Sequence, residues 1–360
     1  MPSDKVSVVA PWALAIADDL TGALEIGAKF AGSGIRSRVV TAADLEAVPE
    51  TPVLVLDTET RHLRPGEAAE AVRRIAAAAR RLAPLLVYKK TDSTLRGNIA
   101  AEFGALREVF PELPLVFVPA YPELGRTVKE GRLYVHGVPV HETSFAADPL
   151  NPIRESAIAR VLAGVEVEVR DGETRAEVEA AAREIVASEP YPTAAGPAAL
   201  AEALAGLVEL PRGERRGWPR VGRCLLVNGS LHPVSAAQVA HARAHGWRAA
   251  RPGCAPGALA RGGWYLLETA EIAGGGLDRA GRVGVVVAEI LERTPVDALV
   301  VFGGDTAFGV HAALGHPPFD PYGELVPGVP LSRCGGRFWI TKAGGFGAPE
   351  ILCDIQRLLT

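Results

Sequence analysis

Apolar runs that end abruptly in polar clusters recur along this chain, and after each cluster the apolar residues return at helical spacing. The sharpest case is residues 85–106. Leu85, Leu86, Val87 and Tyr88 are apolar, Lys89 to Asn98 is polar, and Ile99, Phe103 and Leu106 resume at helical intervals. That pattern predicts strand, polar loop, helix. The start of the chain repeats it. An apolar run from Val6 to Ile16, interrupted by Pro11, gives way to Ala17-Asp18-Asp19-Leu20-Thr21-Gly22 and then a helix over Ala23 to Phe30. Val39 to Thr41 and Val53 to Leu56 read as second and third strands, the third ending in Asp57-Thr58-Glu59-Thr60-Arg61. An Ala-rich amphipathic helix follows from Glu67 to Leu82, and Leu115 to Val118 reads as a further strand.

Beyond Pro119 the periodicity fades. Leu133 to Val135 and Val138 to Val140 predict a small hairpin around His136-Gly137. His141 reads as a structural or substrate-contact residue, because no second ligand stands at a metal-binding spacing. Val165 to Val169 and Thr174 to Ser188 continue as strand and helix. Thr193 to Leu207 reads as a loop, Ala195-Gly196-Pro197, feeding an Ala- and Leu-rich helix. Between Pro211 and Arg223 the composition shifts to Arg, Gly and Pro, which marks a linker and divides the chain into residues 1–216 and 217–360.

The second part opens with a strand at Cys224 to Val227, the turn Asn228-Gly229-Ser230, and a helix from Ser235 to His245. Asp297 to Phe302 is a strand that ends in Gly303-Gly304-Asp305-Thr306-Ala307 before a helix through Leu314. Ile340-Thr341-Lys342-Ala343-Gly344-Gly345-Phe346-Gly347 repeats the theme. Strands alternating with helices predict an α/β fold of two domains, each with a mostly parallel sheet flanked by helices. Such a sheet places the polar ends after Ile16, Leu56 and Tyr88 on one rim, and the active site is expected in the cleft between the domains.

Composition narrows the classes. At 360 residues the chain exceeds the size at which one core stops growing. With 48% hydrophobic and 22% charged residues it has the makings of a large core. A net charge of −4 gives no general attraction to nucleic acid or to an anionic membrane, so any anion site is local. No apolar run approaches the roughly 18 residues that span a bilayer, and Met1 to Lys5 shows no signal-peptide pattern. A cytoplasmic protein is expected, with small molecules as partners and room for a homo-oligomer. Cys224, Cys254, Cys334 and Cys353 form no C-x-x-C pair, which argues against zinc and disulfides and for buried apolar roles.

The loops carry the chemistry. Lys89, Lys90, Asp92, Ser93, Thr94, Arg96, Gly97 and Asn98 fall within ten residues. Cations, a carboxylate, hydroxyls and an amide beside a glycine suit a small hydroxylated anion. The tandem Asp18-Asp19 fits sugar hydroxyls, a divalent ion or a plain helix cap. Glycines at the three turns of the second part let backbone N–H groups and a helix N-terminus approach phosphate, which suggests a nucleotide pocket. Neither a P-loop nor a G-x-G-x-x-G after the first strand is present.

In order along the chain, ADDLTGA (Ala17 to Ala23), DTETR (Asp57 to Arg61), KKTDSTLRGN (Lys89 to Asn98), PAYPELGRTV (Pro119 to Val128), HETSFAADPLNP (His141 to Pro152), NGSLHPVSAAQ (Asn228 to Gln238), GGDTA (Gly303 to Ala307) and TKAGGFG (Thr341 to Gly347) resemble the motif series of the four-carbon acid sugar kinases. The resemblance implies a sugar-acid-binding domain at 1–216, a nucleotide-binding domain at 217–360, and ATP- and Mg2+-dependent phosphorylation of the terminal hydroxyl of threonate, erythronate or a 3-oxo-tetronate. Carried over by motif, Ser230, Gly303, Gly304, Asp305, Thr306 and Gly344 face the nucleotide, with Asp305 also the metal candidate. Asp57, Arg61, Lys90, Ser93, Arg96, Gly97, Asn98 and Arg126 face the sugar acid, with Arg61, Lys90, Arg96 and Arg126 the candidates to clamp its carboxylate. Asp18, Asp19 and Asp92 are open alternatives for orienting the attacking hydroxyl. The rivals are a silent sugar-acid sensor that keeps only the first site and a dehydrogenase, which the missing dinucleotide fingerprint disfavours.

Overall fold

The computed structural model describes residues 11–41, 50–148, 150–214, 216–253, 259, 262–270 and 272–360. Cys254, Pro149, Met1 to Lys5 and the start of the Val6 to Ile16 run lie outside these. The chain divides into two compact units, Met1–Gly213 and Glu214–Thr360.

The first unit contains β1 (Ala13–Ala17), α1 (Leu20–Gly32), β2 (Ser37–Thr41), β3 (Val53–Asp57), α2 (Pro65–Arg80), β4 (Leu86–Lys90), α3 (Ile99–Val109) and β5 (Leu115–Phe117). It continues with β6 (Arg126–Lys129), β7 (Arg132–Val135), β8 (Val138–Pro139), α4 (Ile158–Val161), β9 (Glu168–Val169), α5 (Arg175–Ala187), β10 (Thr193–Gly196) and α6 (Ala198–Leu207). Its main sheet runs β2-β3-β1-β4-β10-β5-β9, every neighbouring pair parallel. Strands β1, β3 and β4 are buried along their whole length, as parallel strands covered on both faces must be, which is why β1 reads as an unbroken apolar run. Strand β3 ends in a buried Asp57, and β4 extends through Lys89 and Lys90, which the sequence pattern places in the loop. From β1 the chain departs toward β2, and from β4 it departs toward β5. Right-handed crossovers therefore send α1 and α3 to opposite faces, and α1 packs with α6 while α3 packs with α2. The direction reverses between β1 and β4, and in open α/β sheets the carboxyl ends of the strands at such a point are where ligands bind.

Two expectations need correction. Thr193 to Gly196, read as a loop, is the strand β10 between β4 and β5. Three of its four residues are Ala or Gly, so the β-branched signal is absent. Smallness is required there, since a Cβ on Gly196 would stand 2.5 Å from the Val118 carbonyl oxygen. The strand expected over Val165 to Val169 shrinks to Glu168–Val169 at the sheet edge. The hairpin forms as expected, β7 pairing antiparallel with β8 through His136 (φ +49°) and Gly137 (φ +80°), the two left-handed positions a tight hairpin turn uses. An unexpected third strand, β6, joins it.

The second unit contains β11 (Arg223–Asn228), α7 (Pro233–Ala244), β12 (Arg248–Ala250), β13 (Gly263–Leu267), α8 (Gly276–Arg293), β14 (Ala298–Phe302), α9 (Gly304–Ala313), β15 (Phe319–Val326), β16 (Val329–Cys334), β17 (Arg337–Lys342) and α10 (Ile351–Leu359). The order is β12-β13-β11-β14-β17-β16-β15, parallel from β12 to β17 and antiparallel for the last two pairs. Its core joins Leu226, Trp247, Trp264, Val300, Ile340 and Ile355. Helices α8 and α9 cross at two glycines: a Cβ on Gly284 would lie 2.1 Å from the Gly309 carbonyl oxygen. Among the described residues, no helix is long and apolar enough to cross a membrane.

Candidate functional site

Sheet register brings the polar strand ends of the first unit to one level. Ala17 pairs with Asp57 on one side and Lys90 on the other, and Lys90 pairs with Gly196. Asp18 and Asp19 leave β1, Thr58 to Arg61 leave β3, and Thr91 to Asn98 leave β4. Two non-glycine residues in these loops are left-handed, Glu59 (φ +47°) and Leu95 (φ +67°). Such backbone costs about 1–3 kcal/mol each and persists where surrounding structure enforces it, commonly at binding sites.

Arg61 is held by the tandem aspartates. Its guanidinium donates to Asp18 Oδ2 at 2.8 Å and Oδ1 at 3.1 Å, and to Asp19 Oδ2 and Oδ1 at 2.7 Å each. Both aspartates are thereby spent on one cation, and Arg61 is not a free clamp in this state. Gly97 (φ +89°) lies over the assembly, where a Cβ would meet Arg61 Cγ and Asp18 Oδ2 at 3.3 Å. Asp19 also caps α1, accepting from the Gly22 amide at 3.0 Å, while Glu59 Oε1 accepts from the Leu20 amide at 2.8 Å. The cap reading and the cluster reading of Asp19 therefore hold together.

Arg96 is engaged in the same way. It donates to Asp92 Oδ1 at 2.8 Å and Oδ2 at 3.1 Å, and to Asp148 Oδ2 at 3.2 Å. Asp92 Oδ2 further accepts from the Thr94 amide at 2.9 Å and from the Thr94 hydroxyl. The Asn98 amide donates at 2.9 Å to the carbonyls of Thr60 and Leu63 and so ties two loops together. Lys90 Nζ donates to the Thr91 carbonyl at 2.9 Å and stands 3.8 Å from Glu25. Its neighbour Lys89 is fully buried and paired with Glu102 at 2.9 Å. Ser93 is half-buried in the same loop.

What remains open on this rim is specific. Thr21 Oγ1, Asp57 Oδ2, Thr91 Oγ1 and Arg126 Nε are buried without a hydrogen-bond partner. Leaving such groups unpaired costs about 1–3 kcal/mol each, and more if charged, unless a ligand or water satisfies them. Arg126 starts β6, donates to the Leu124 carbonyl, and lies over the Phe145 ring at 6.0 Å, a ring that Arg96 also covers at 5.7 Å. Phe145 belongs to the aperiodic stretch whose contacts the sequence leaves unreadable.

The carboxyls differ in charge state. Burial, and then the charge of Asp19, push Asp57 up to about 8. Burial also pushes Asp18 up, but Arg61, Lys89 and Lys90 outweigh it and leave Asp18 below the usual range. The same contest ends with Asp92 far below it, because Arg96 and Arg61 outweigh burial. Glu59 on the same rim is also raised well above its usual value, by burial and then by the charges of Asp57 and Asp19. The rim thus sets two carboxyls raised by burial against two held ionised by their cations. Burial lowers the Arg126 pKa.

In the second unit three turns leave adjacent parallel strands at one level, since Asn228 pairs with Phe302 and Phe302 with Lys342. Gly303 (φ +100°) precedes α9, so the amides of Gly304, Asp305 and Thr306 open its N-terminus. Gly344 passes so near Ser230 that a Cβ would lie 2.0 Å from Ser230 Oγ. Ser230 Oγ accepts from the His232 amide at 3.2 Å, and the His232 ring caps α7 by accepting from the Val234 amide at 3.2 Å. Gln238, one turn further, donates to the carbonyls of Phe346 and Gly347 at 3.0 Å. Lys342 is buried between the rings of Phe302 and Phe346, and its Nζ donates to the carbonyls of Ala343 and Phe346 at 2.7 Å. Burial pushes its pKa down to about 7. Ser230, Asp305 and Thr306 supply hydroxyl and carboxylate oxygens, hard donors of the kind Mg2+ takes.

Comparison with known proteins follows the same division. A family model described as a sugar-binding N-terminal domain matches residues 13–184, and one described as a nucleotide-binding C-terminal domain matches residues 267–352. A Bordetella bronchiseptica protein named D-threonate kinase is 32% identical, the match covering 95% of this chain and 96% of that one. A Salmonella typhimurium protein of the same name is 30% identical over the same shares. A solved protein of Salmonella typhimurium LT2 has the same fold, with a TM-score of 0.80 at 21% identity over 97% of this chain and 99% of that one.

Proposed function

The chain belongs to the four-carbon acid sugar kinase family, and from that membership we infer that it is an ATP-dependent kinase that phosphorylates the terminal hydroxyl of a threonate, erythronate or 3-oxo-tetronate. D-Threonate is the first acceptor to try, because three relatives matched over at least 95% of this chain at 29–32% identity carry that name, against one 3-oxo-tetronate kinase matched as fully at 25%. Residues 1–216 take the sugar acid and residues 217–360 the nucleotide. The observation that carries this reading is the set of unpartnered buried groups on one rim, Thr21, Asp57, Thr91 and Arg126. Two hydroxyls, a protonated carboxyl and a guanidinium are what a small polyhydroxy carboxylate would satisfy.

Arg126 clamps the acid's carboxylate, with Arg96 held beside it by Asp92 and Asp148. Asp57 donates to a substrate oxygen. Asp18, Asp19 and Asp92 are the candidates to orient the attacking hydroxyl, Asp18 and Asp92 being held ionised by their cations. Late proton loss is enough, because phosphoryl transfer rests mainly on positioning and charge stabilisation. On the nucleotide side the N-terminus of α9 and the Ser230 and Gly344 turns receive the phosphates. Asp305, with the Ser230 and Thr306 hydroxyls, would hold Mg2+, which draws charge off the β- and γ-phosphates when bound. Lys342 stands behind the third turn, where a bound phosphate would favour its charged form.

Product identity tests the reading. Phosphorus NMR of the product from D-threonate and ATP is expected to show one phosphomonoester coupled to two methylene protons. Coupling to a methine proton instead would reject transfer to the terminal hydroxyl.

A further inference from the structure

In the second unit, α7 and α10 bring together three side chains that the proposed reaction does not use. His241 and His245 are one helical turn apart on α7, so their rings lie on one face, stacked with centroids 4.0 Å apart and planes 18° from parallel. Cys353 sits in the first turn of α10, and the two helices pack together. One ring nitrogen of each histidine and the Cys353 sulfur all lie within 4.8 Å of one another, with His245 exposed and the other two partly so. His245 Nδ1 is 2.8 Å from the His241 carbonyl oxygen. A carbonyl only accepts, so Nδ1 carries the proton and Nε2 keeps a free lone pair, the arrangement by which a backbone carbonyl fixes a metal-ligating histidine.

We propose that His241, His245 and Cys353 bind a divalent transition-metal ion of the Zn2+ class that ties α7 to α10. Two imidazoles and a thiolate are the donors such ions favour, and a fourth, tetrahedral position stays open to water. Mg2+ takes oxygen ligands, so this site is chemically separate from any metal of the kinase reaction. Position gives the site a consequence. Gln238 lies one turn before His241 and holds the carbonyls of Phe346 and Gly347, while Ile351 of α10 packs where a Gly347 Cβ would stand. An ion shared by the two helices therefore fixes the scaffold behind the third glycine turn.

Cobalt is a direct probe. The metal-free full chain, titrated with Co2+ alone in buffer without ATP or Mg2+, should develop a near-ultraviolet thiolate-to-cobalt band that saturates at one ion per chain and is displaced by Zn2+. Cys353→Ser should abolish the band, and His241→Gln and His245→Gln should each weaken Zn2+ binding at least about tenfold. Circular dichroism checks that each variant is folded. Zn2+ should raise the thermal midpoint of the wild type and leave that of Cys353→Ser unmoved. A wild type with no band and no stoichiometric uptake overturns the proposal. So does a band that survives Cys353→Ser, since the ion is then held elsewhere.

Discussion

Asp57 sets burial against charge most sharply on the first rim. Its folded pKa, about 8, lies above the ordinary 3.8, so between those values the folded chain holds a proton that the unfolded chain has released. Stability then falls as pH rises through that window, because the unfolded state binds fewer protons. Urea unfolding at pH about 5 and about 9 should show the wild type losing ground to Asp57→Asn by a few kcal/mol. A constant gap across that range would mean Asp57 is ionised throughout. Arg126 is the other test at this scale. Arg126→Ala should raise the KM for the sugar acid about 10- to 100-fold, the worth of a hydrogen bond to a charged group, and leave the KM for ATP unchanged. An unmoved sugar-acid KM would take Arg126 out of the clamp. The sequence already showed Asp18, Asp19, Arg61, Asp92 and Arg96 as a cluster, because strand ends announce themselves by a sudden change of polarity. It did not show that Arg61 is neutralised by the tandem aspartates, or that Asn98 braces a loop. Those pairings depend on side-chain directions across loops distant in sequence.

In the proposed reaction the strand-to-helix turns are the working elements of the second unit, and their geometry leaves no room for a side chain at Gly229 or Gly344. Gly344→Ala would place a methyl group 2.0 Å from Ser230 Oγ, so either the turn or the serine must move. Calorimetry should find ATP binding lost or greatly weakened in this variant, with sugar-acid binding kept. Normal ATP affinity would show that the third turn does not shape the nucleotide site. Elements with long apolar runs or clear helical periodicity, such as β1, β3, β4, α2 and β14, were legible because burial on both faces writes itself into sequence. Strand β10 was not, since close backbone approach demanded Ala and Gly and erased the pattern. The paired histidines of α7 were equally silent, their thiol partner being supplied by another helix.

The first unit is built on a parallel sheet and the second on a mostly parallel one, each with a point where the direction of winding reverses and polar groups gather. The sugar acid's hydroxyl is assigned to the first unit and the γ-phosphate to the second, so turnover is the one property that neither unit can supply alone. A silent sensor would bind the acid and leave ATP intact. The measurement that separates these is ADP release by the purified chain with ATP and Mg2+, run against D-threonate, D-erythronate, 3-oxo-tetronates and a five-carbon acid as control. The account predicts ADP formation in step with loss of one four-carbon acid, and none with the control. Tight binding of a tetronate with no ADP above the acid-free rate, for every acid in the panel, would contradict it.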